Sequence, residues 1–402
     1  MRPDHVSGTE KADASRERQR ILVVTAVAVT AKVFLLGYLE ALGHRYDVTL
    51  ICADPDEELA TSLPPNVSLC SVDIRRSISP WRDLLALLKI VWIVRETGFS
   101  MIHSVTPKAG LLAQLAGWWC GIELRVHTFT GQVWVTRRGL FRSLLKTIDQ
   151  LIAKCATHLL ADSASQKDFL VAEGVVAMDR VGVLGAGSIS GVDVERFRPN
   201  SEVRQKLRHE LGFADDDVLA LFVGRLNRDK GVLDLVSAFV RISERIPKLA
   251  LLLVGPDEGR LAGEIAQLSA GNSRLRLLGG TPCPENYMVA ADFFCLPSYR
   301  EGFGSVVIEA AACGIPAMAS AIYGLSDAVE DGRSGVLHPP RDILAMALLM
   351  ERFAVDREWR ESLGVYAKYR ARTLFASQVL LDAQMAFVEQ LMRHETEGGA
   401  SR

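Results

Sequence analysis

The chain has 402 residues, 49% of them apolar, enough for two domains that each bury a core of their own. Its formal net charge of −2 excludes a general nucleic-acid binder. No apolar run reaches the roughly 18–20 residues of a membrane-spanning helix.

Residues 1–19 are polar and charged, unlike a secretory signal, and read as a disordered tail. Residues 21–25 read as a first strand and 48–52 as a second. Between them Phe34, Leu35, Tyr38, Leu39 and Leu42 recur at helical spacing. The connection 26–32 reads as a loop. From Arg75 to Lys146 there are eleven basic residues against three acidic ones, and five of the six tryptophans. Tryptophan with Lys and Arg suits a bilayer surface, where each basic residue near anionic lipid contributes roughly 1 kcal/mol. Within this segment Trp81, Leu84, Leu85, Leu88, Val91 and Trp92 form one helical stripe, which by itself reads as a helix packed on the first sheet. The combined excess of charge and tryptophan points the first domain towards peripheral contact with an anionic membrane. Further runs follow at 101–104 and 124–131. A polar, proline-bearing stretch at 194–200 marks a domain break, giving expected domains at 20–195 and 196–375.

In the second half, residues 218–223 form an apolar run of buried-strand length followed at once by Gly224 and Arg225. A mostly polar loop through Lys230 and Gly231 leads into a helical pattern at Leu233, Val236, Phe239 and Val240. Arg225 thus stands at the carboxyl end of a strand and Lys230 near a helix N-terminus, the edge where open α/β sheets bind ligands. Arginine can grip a phosphate with two N–H groups, and lysine supplies a movable point charge. Further strands read at 251–255, 275–279, 292–297, 315–319 and 336–337. Strands alternating with helices at this spacing predict a doubly wound, parallel α/β sheet. A closing helix at 376–395 is expected to follow, with a short tail after it.

The most informative stretch runs from Arg300 to Glu309. Glu301 and Glu309 bracket a Gly302-Phe303-Gly304 turn and a short apolar helix, with Ser305 as its expected N-cap and Gly314 past its end. The free N–H groups and dipole of that helix start favour an anion such as a diphosphate, and the flanking carboxylates can accept hydrogen bonds from hydroxyls. The pattern describes a pocket for a sugar joined to a nucleotide through phosphates.

In order and spacing, the run 222–225 with Lys230-Gly231, then Gly255, Pro297-Ser298, Glu301–Gly304 and Glu309 resembles the family 4 retaining glycosyltransferases of the GT-B fold. The runs at 101–110, 124–134 and 185–193 resemble the first domain of bacterial capsule and lipopolysaccharide transferases. The resemblance implies two Rossmann-like domains with an interdomain cleft, and a closing helix that crosses back to the first domain. It implies that Gly224, Arg225, Lys230, Gly255, Glu301, Gly302, Phe303, Gly304, Ser305 and Glu309 bind a nucleotide-sugar donor such as a UDP-sugar. Arg225 and Lys230 match the diphosphate contacts, Glu309 the ribose contact and Glu301 the sugar contact. The sequence departs from the family in two places. The loop after the first strand has no glycine, and Thr130 stands before Gly131 where many members carry histidine, with His127 three residues earlier. His127 is kept as a catalytic candidate beside Glu301, Arg225 and Lys230, and Lys108 and Thr130 as acceptor contacts. The implied acceptor is a polyprenyl-diphosphate-linked saccharide at the inner face of the plasma membrane, with the enzyme cytoplasmic and peripheral.

No metal site is visible, so no metal or other cofactor is expected. The seven cysteines are odd in number, form no C-x-x-C pair and suit a reducing compartment. Two rival readings use the same two domains. One is a sugar-nucleotide 2-epimerase, which Glu301, Glu309, Arg225 and Lys230 fit less well. The other is a non-catalytic partner subunit, which would be expected to lose these four side chains.

Overall fold

A computed structural model of the protein describes residues 18–75 and 79–399. Nearly all of the tail expected at 1–19, and Arg76 of the basic segment, lie outside the described residues. Seven parallel strands form the first sheet: β1 (Arg20–Val27), β2 (Asp47–Ala53), β3 (Val67–Ser71), β4 (Met101–Val105), β5 (Leu124–Phe129), β6 (His158–Ala161) and β7 (Val181–Val183). Six form the second: β8 (Val218–Val223), β9 (Leu249–Val254), β10 (Leu275–Leu278), β11 (Phe293–Leu296), β12 (Ala317–Ser320) and β13 (Gly335–His338). Their orders are β3-β2-β1-β4-β5-β6-β7 and β10-β9-β8-β11-β12-β13. Both are doubly wound, reversing direction between β1 and β4 and between β8 and β11. The central strands are continuous runs of Val, Ile, Leu and Ala because helices cover both faces; every residue of β9 is buried.

The chain crosses between domains twice, and the crossings lie side by side. The Val192 N–H donates to the Phe375 carbonyl at 2.7 Å, and the Ser377 N–H donates to the Val192 carbonyl at 2.8 Å. The closing helix Ser377–Gly399 returns to the first domain, where Val388, Leu391 and Met392 share a core with Leu35, Leu39 and Leu42. Its backbone stays helical through Gly399, where the sequence suggested a tail beyond 395. Elsewhere the domains meet through ring stacking and hydrogen bonds. Phe169 stacks on Trp134 and on Tyr323, with centroids 5.4 and 4.4 Å apart. The Gly324 N–H donates to Ser165 Oγ at 2.8 Å, and the Ser165 hydroxyl donates to Asp327.

Three expectations are corrected. Residues 26–32 are not a loop: β1 runs to Val27, and helical turns begin at Ala28 and continue through Leu35 into Leu36–Arg45. No Gly or Pro interrupts this stretch, and Ala28, Ala31 and Leu35 are buried at helical spacing. The tryptophan stripe faces outwards. The helix Pro80–Thr97 is buried through Ala86, Ile90, Val91, Ile93 and Val94, whereas Trp81, Leu84, Leu85, Leu88 and Trp92 are 42–70% exposed. Apolar residues surround more of this helix than one contact can cover, and the smaller, branched side fits the core. Trp134 is fully buried with its Nε1–H donating to Asp149 at 2.7 Å, so it offers nothing to a lipid surface.

Candidate active site

The loops leaving the carboxyl ends of both sheets face each other across a cleft of about 890 Å³. On the second-domain wall, Gly224 and Gly255 end β8 and β9 with φ of +154° and +150°. A Cβ on Gly255 would stand 1.9 Å from the Gly224 carbonyl oxygen, so the strand ends approach only because no side chain intervenes. Arg225 follows, half-exposed, its Nη1 donating to Glu258 Oε2 at 2.9 Å. The Asn227 side chain accepts the Lys230 N–H at 3.2 Å and closes the turn that sets Lys230 before the helix Val232–Ser243. Lys230 Nζ then donates to Glu301 Oε1, which also accepts from Ser298 Oγ at 2.6 Å. A cation and a carboxylate expected to serve different parts of a ligand therefore touch each other in the cleft.

The turn before the helix Ser305–Ala312 corrects the expected cap. Gly304, at φ +88°, is the N-cap, and Ser305 is the first helical residue. A serine cap needs an extended backbone just before the first turn, and the left-handed glycine takes that place. Val307 donates its N–H to the Gly304 carbonyl at 2.8 Å. Phe303 is buried, edge-on to Phe375 with centroids 5.2 Å apart. Glu309 lies one turn into the helix, where burial pushes its carboxyl up to about 7; Arg196 opposes the shift and Glu285 adds to it. Arg225, Lys230, Gly224, Gly255, Glu301–Ser305 and Glu309 all line the one cleft.

On the first-domain wall, Val29, Thr30, Val33 and Phe34 stand after β1, Thr106 after β4, Thr130 after β5 and Asp162 after β6. A Cβ on Gly302 would lie 2.2 Å from the Thr130 carbonyl oxygen, so the two walls touch at this point. Lys108 does not line the cleft; its Nζ pairs with Asp83 at 2.7 Å. His127 is corrected as a cleft residue. It has no exposed surface, Ser104 Oγ lies 2.9 Å from its Nδ1, and Gly110 covers its ring so closely that a Cβ would come within 2.4 Å. Burial lowers its pKa to about 3, leaving the imidazole neutral. Two residues short of the strand end, His127 falls beneath the helix Pro107–Trp119, and only Thr130 reaches the edge.

Asp162 and the apolar group after β1 are cleft residues that sequence reasoning passed over. A lone acid directly after the apolar run 159–161 was the available signal for Asp162. The eleven-to-three charge excess is also partly neutralised by acids outside the segment. Arg142 and Lys146 pair with Glu173, Arg75 and Arg82 with Asp73, and Arg125 turns inward to the Cys155 carbonyl at 2.6 Å. Arg95, Arg137 and Arg138 are exposed and have no carboxylate partner among the described residues.

Residues 31–187 match the model of the glycosyl transferase 4-like domain, and 203–370 that of glycosyl transferases group 1. The capsular polysaccharide biosynthesis glycosyltransferase CapM of Staphylococcus aureus is 26% identical, over 90% of this chain and 94% of that one. An Escherichia coli UDP-Gal:alpha-D-GlcNAc-diphosphoundecaprenol alpha-1,3-galactosyltransferase is 26% identical, over 78% and 81%. Among solved structures, a sucrose-phosphate synthase from Thermosynechococcus elongatus superposes with a TM-score of 0.77 at 24% identity, covering 94% of this chain and all of that one. With one family model on each domain and the strand orders described above, the chain belongs to the glycosyltransferases of the GT-B fold, joining a glycosyl transferase 4-like first domain to a group 1 second domain.

Proposed function

We propose that the protein transfers a sugar, with retention of anomeric configuration, from a UDP-linked donor to a polyprenyl-diphosphate-linked saccharide during assembly of a bacterial surface polysaccharide. One observation carries this reading: two cations, a helix start and two carboxylates, far apart in sequence, line one cleft between two Rossmann-like domains. Arg225 and Lys230 take the diphosphate, and Lys230 exchanges Glu301 for it. Glu301, released, accepts hydroxyls of the transferred hexosyl or N-acetylhexosaminyl group, and Glu309 accepts those of the ribose. As the bond to the anomeric carbon breaks, charge grows on the departing diphosphate. Arg225, Lys230 and the N–H groups at the start of Ser305–Ala312 stabilise it, with no metal cofactor invoked. The activities of the CapM relative and the galactosyltransferase relative support the pathway and the lipid-linked acceptor.

The acceptor side supports a membrane location. Of the 22 exposed large apolar side chains among the described residues, 11 lie on three helices packed in succession, Pro80–Thr97, Pro107–Trp119 and Gly139–Cys155. They include Trp81, Trp92, Trp118, Trp119 and Phe141, and Arg95, Arg137 and Arg138 supply free positive charge nearby in sequence. No helix among the described residues is long and apolar enough to cross a membrane. The reading is therefore peripheral attachment at an anionic leaflet, with Thr130 on the acceptor side of the cleft.

The test is transfer from UDP-glucose, UDP-galactose and UDP-GlcNAc to undecaprenyl-diphosphate-linked GlcNAc, with the product anomer assigned by NMR. Lys230→Ala is expected to cut turnover by about 10²–10³-fold, the cost of removing one preorganised contact to developing charge. Near-normal transfer by that variant, or no transfer or donor hydrolysis by the wild type with any of these donors, refutes the reading.

A further inference from the structure

Asp162 follows β6 at the seam of the two domains, 5% exposed, and its Oδ1 has no hydrogen-bond partner among the described residues although Asp162 lines the cleft. Its backbone is held from both sides. The Asp162 N–H donates to Gln166 Oε1 at 2.7 Å, and its carbonyl accepts the Ser188 N–H at 2.6 Å. The next residue, Ser163, caps the helix Ala164–Ala172 through the Gln166 N–H at 3.1 Å. Two residues further on, Ser165 makes the hydrogen bonds that join the domains. The carboxyl is thus mounted rigidly, and a Cβ on Gly302 would lie only 2.9 Å from Oδ2, so it borders the Glu301–Gly302 turn.

A buried carboxyl oxygen left unpaired is costly, and native interiors pair the large majority of such side-chain polar atoms. A molecule entering the cleft can supply that partner. Burial raises the pKa of Asp162 to about 8, so at neutral pH it carries a proton and offers both an O–H donor and an acceptor. A sugar hydroxyl has the same dual character. A phosphate offers only acceptors, and the second-domain cations already meet that need.

We propose that Asp162 binds a hydroxyl of the sugar being transferred, from the first-domain side of the cleft and across from Glu301. The assignment rests on the nucleotide-sugar reading and makes sugar recognition a task of both domains. Glu301 reaches the sugar from the second, and Asp162 reaches it only while the Ser165–Asp327 contact holds the domains together.

Calorimetric titration at pH 7 tests this. Wild type, Asp162→Ala and Asp162→Asn are titrated with UDP, which has no sugar, and with whichever of UDP-glucose, UDP-galactose and UDP-GlcNAc the wild type binds most tightly. Expected is an unchanged UDP affinity in all three proteins. The sugar's added affinity should fall about fivefold to tenfold in Asp162→Ala and largely return in Asp162→Asn, whose amide keeps a donor and an acceptor. Equal losses for UDP and the UDP-sugar, or no loss for either, overturn the assignment and leave the nucleotide reading standing. A wild type that binds neither UDP nor any UDP-sugar removes both. If Asp162→Ala does not fold, a crystal of the wild type with the bound UDP-sugar decides. Oδ1 and Oδ2 both beyond hydrogen-bond reach of every sugar hydroxyl overturns the proposal.

Discussion

The two walls of the cleft are built on the same doubly wound strand order, yet they present different chemistry. The second-domain wall is a set of short local motifs, Gly224-Arg225, Lys230 and Glu301–Glu309, each placed by the strand or helix beside it. The first-domain wall has few charges. It offers Thr106, Thr130 and Asp162 singly at the ends of three strands, plus Val29, Val33 and Phe34 on helical turns after β1. A diphosphate looks alike in every donor and can be gripped by residues close together in the chain. On the proposed reading the first domain meets the acceptor, and the residues it offers come from separate strand ends that only folding brings together.

Substitutions can break or sharpen this contrast. The largest effect after loss of Lys230 is expected at the seam. Gly302→Ala places a methyl 2.2 Å from the Thr130 carbonyl and 2.9 Å from the Asp162 carboxyl. It should push the walls apart and lower kcat/KM by roughly tenfold to a hundredfold, as misplaced reacting groups do. Thermal unfolding and steady-state kinetics together check this, and unchanged kinetics would show that the walls need not touch. Next is the outer face of the first domain. Replacing Trp81 and Trp92, 70% and 62% exposed, by Ala should weaken flotation with anionic liposomes about fivefold while leaving UDP binding intact. Binding by the wild type that ignores anionic lipid would end the membrane reading.

A smaller effect is expected at Glu309. Its folded pKa of about 7 lies above the ordinary carboxyl value, so it is largely protonated below pH 6 and ionised above pH 8. On the proposed reading the ionised form accepts two ribose hydroxyls, so affinity for UDP-glucose should rise up to about tenfold from pH 6 to 8. The sugar's diphosphate diester does not titrate in that window. Glu309→Gln should flatten the profile, and a profile that keeps its slope in that variant would assign the titration elsewhere. The smallest effect on turnover is expected for His127→Ala. That variant should cost about 1–3 kcal/mol of stability by opening the core beneath Gly110, read from denaturant unfolding. Its kcat should stay within about twofold of wild type, since neither His127 nor its neighbours Ser104, Gly110 and Phe129 line the cleft; a loss comparable to that of Lys230→Ala would return His127 to the chemistry.

The strands of both sheets were legible because a parallel strand buried on both faces leaves an unbroken apolar run. The correct β8 boundaries, 218–223, follow from that alone. The second-domain wall was legible because Arg225, Lys230, Glu301 and Glu309 sit at strand ends or helix starts, where chain position dictates side-chain position. Other readings went wrong where burial, backbone conformation or charges outside the stretch had to be known. The stripe Trp81–Trp92 is regular enough for a core face, yet the side bearing Ala86, Ile90 and Val94 is the buried one. Ser305 is an acceptable cap by type, but the left-handed Gly304 displaced it. The charge count from Arg75 to Lys146 omitted Asp73 and Glu173, which pair with residues inside the segment.

Local sequence alone therefore determined the two-domain α/β class and the anion-ready edge of the second domain, because periodicity and helix-start chemistry act within a few residues. Tertiary structure decided the rest. It buried His127 and Trp134, turned the tryptophan stripe outwards and set an unpaired Asp162 against Gly302. Those outcomes depend on which helix covers a strand and which loop meets it across the cleft, and such pairings span tens to hundreds of residues.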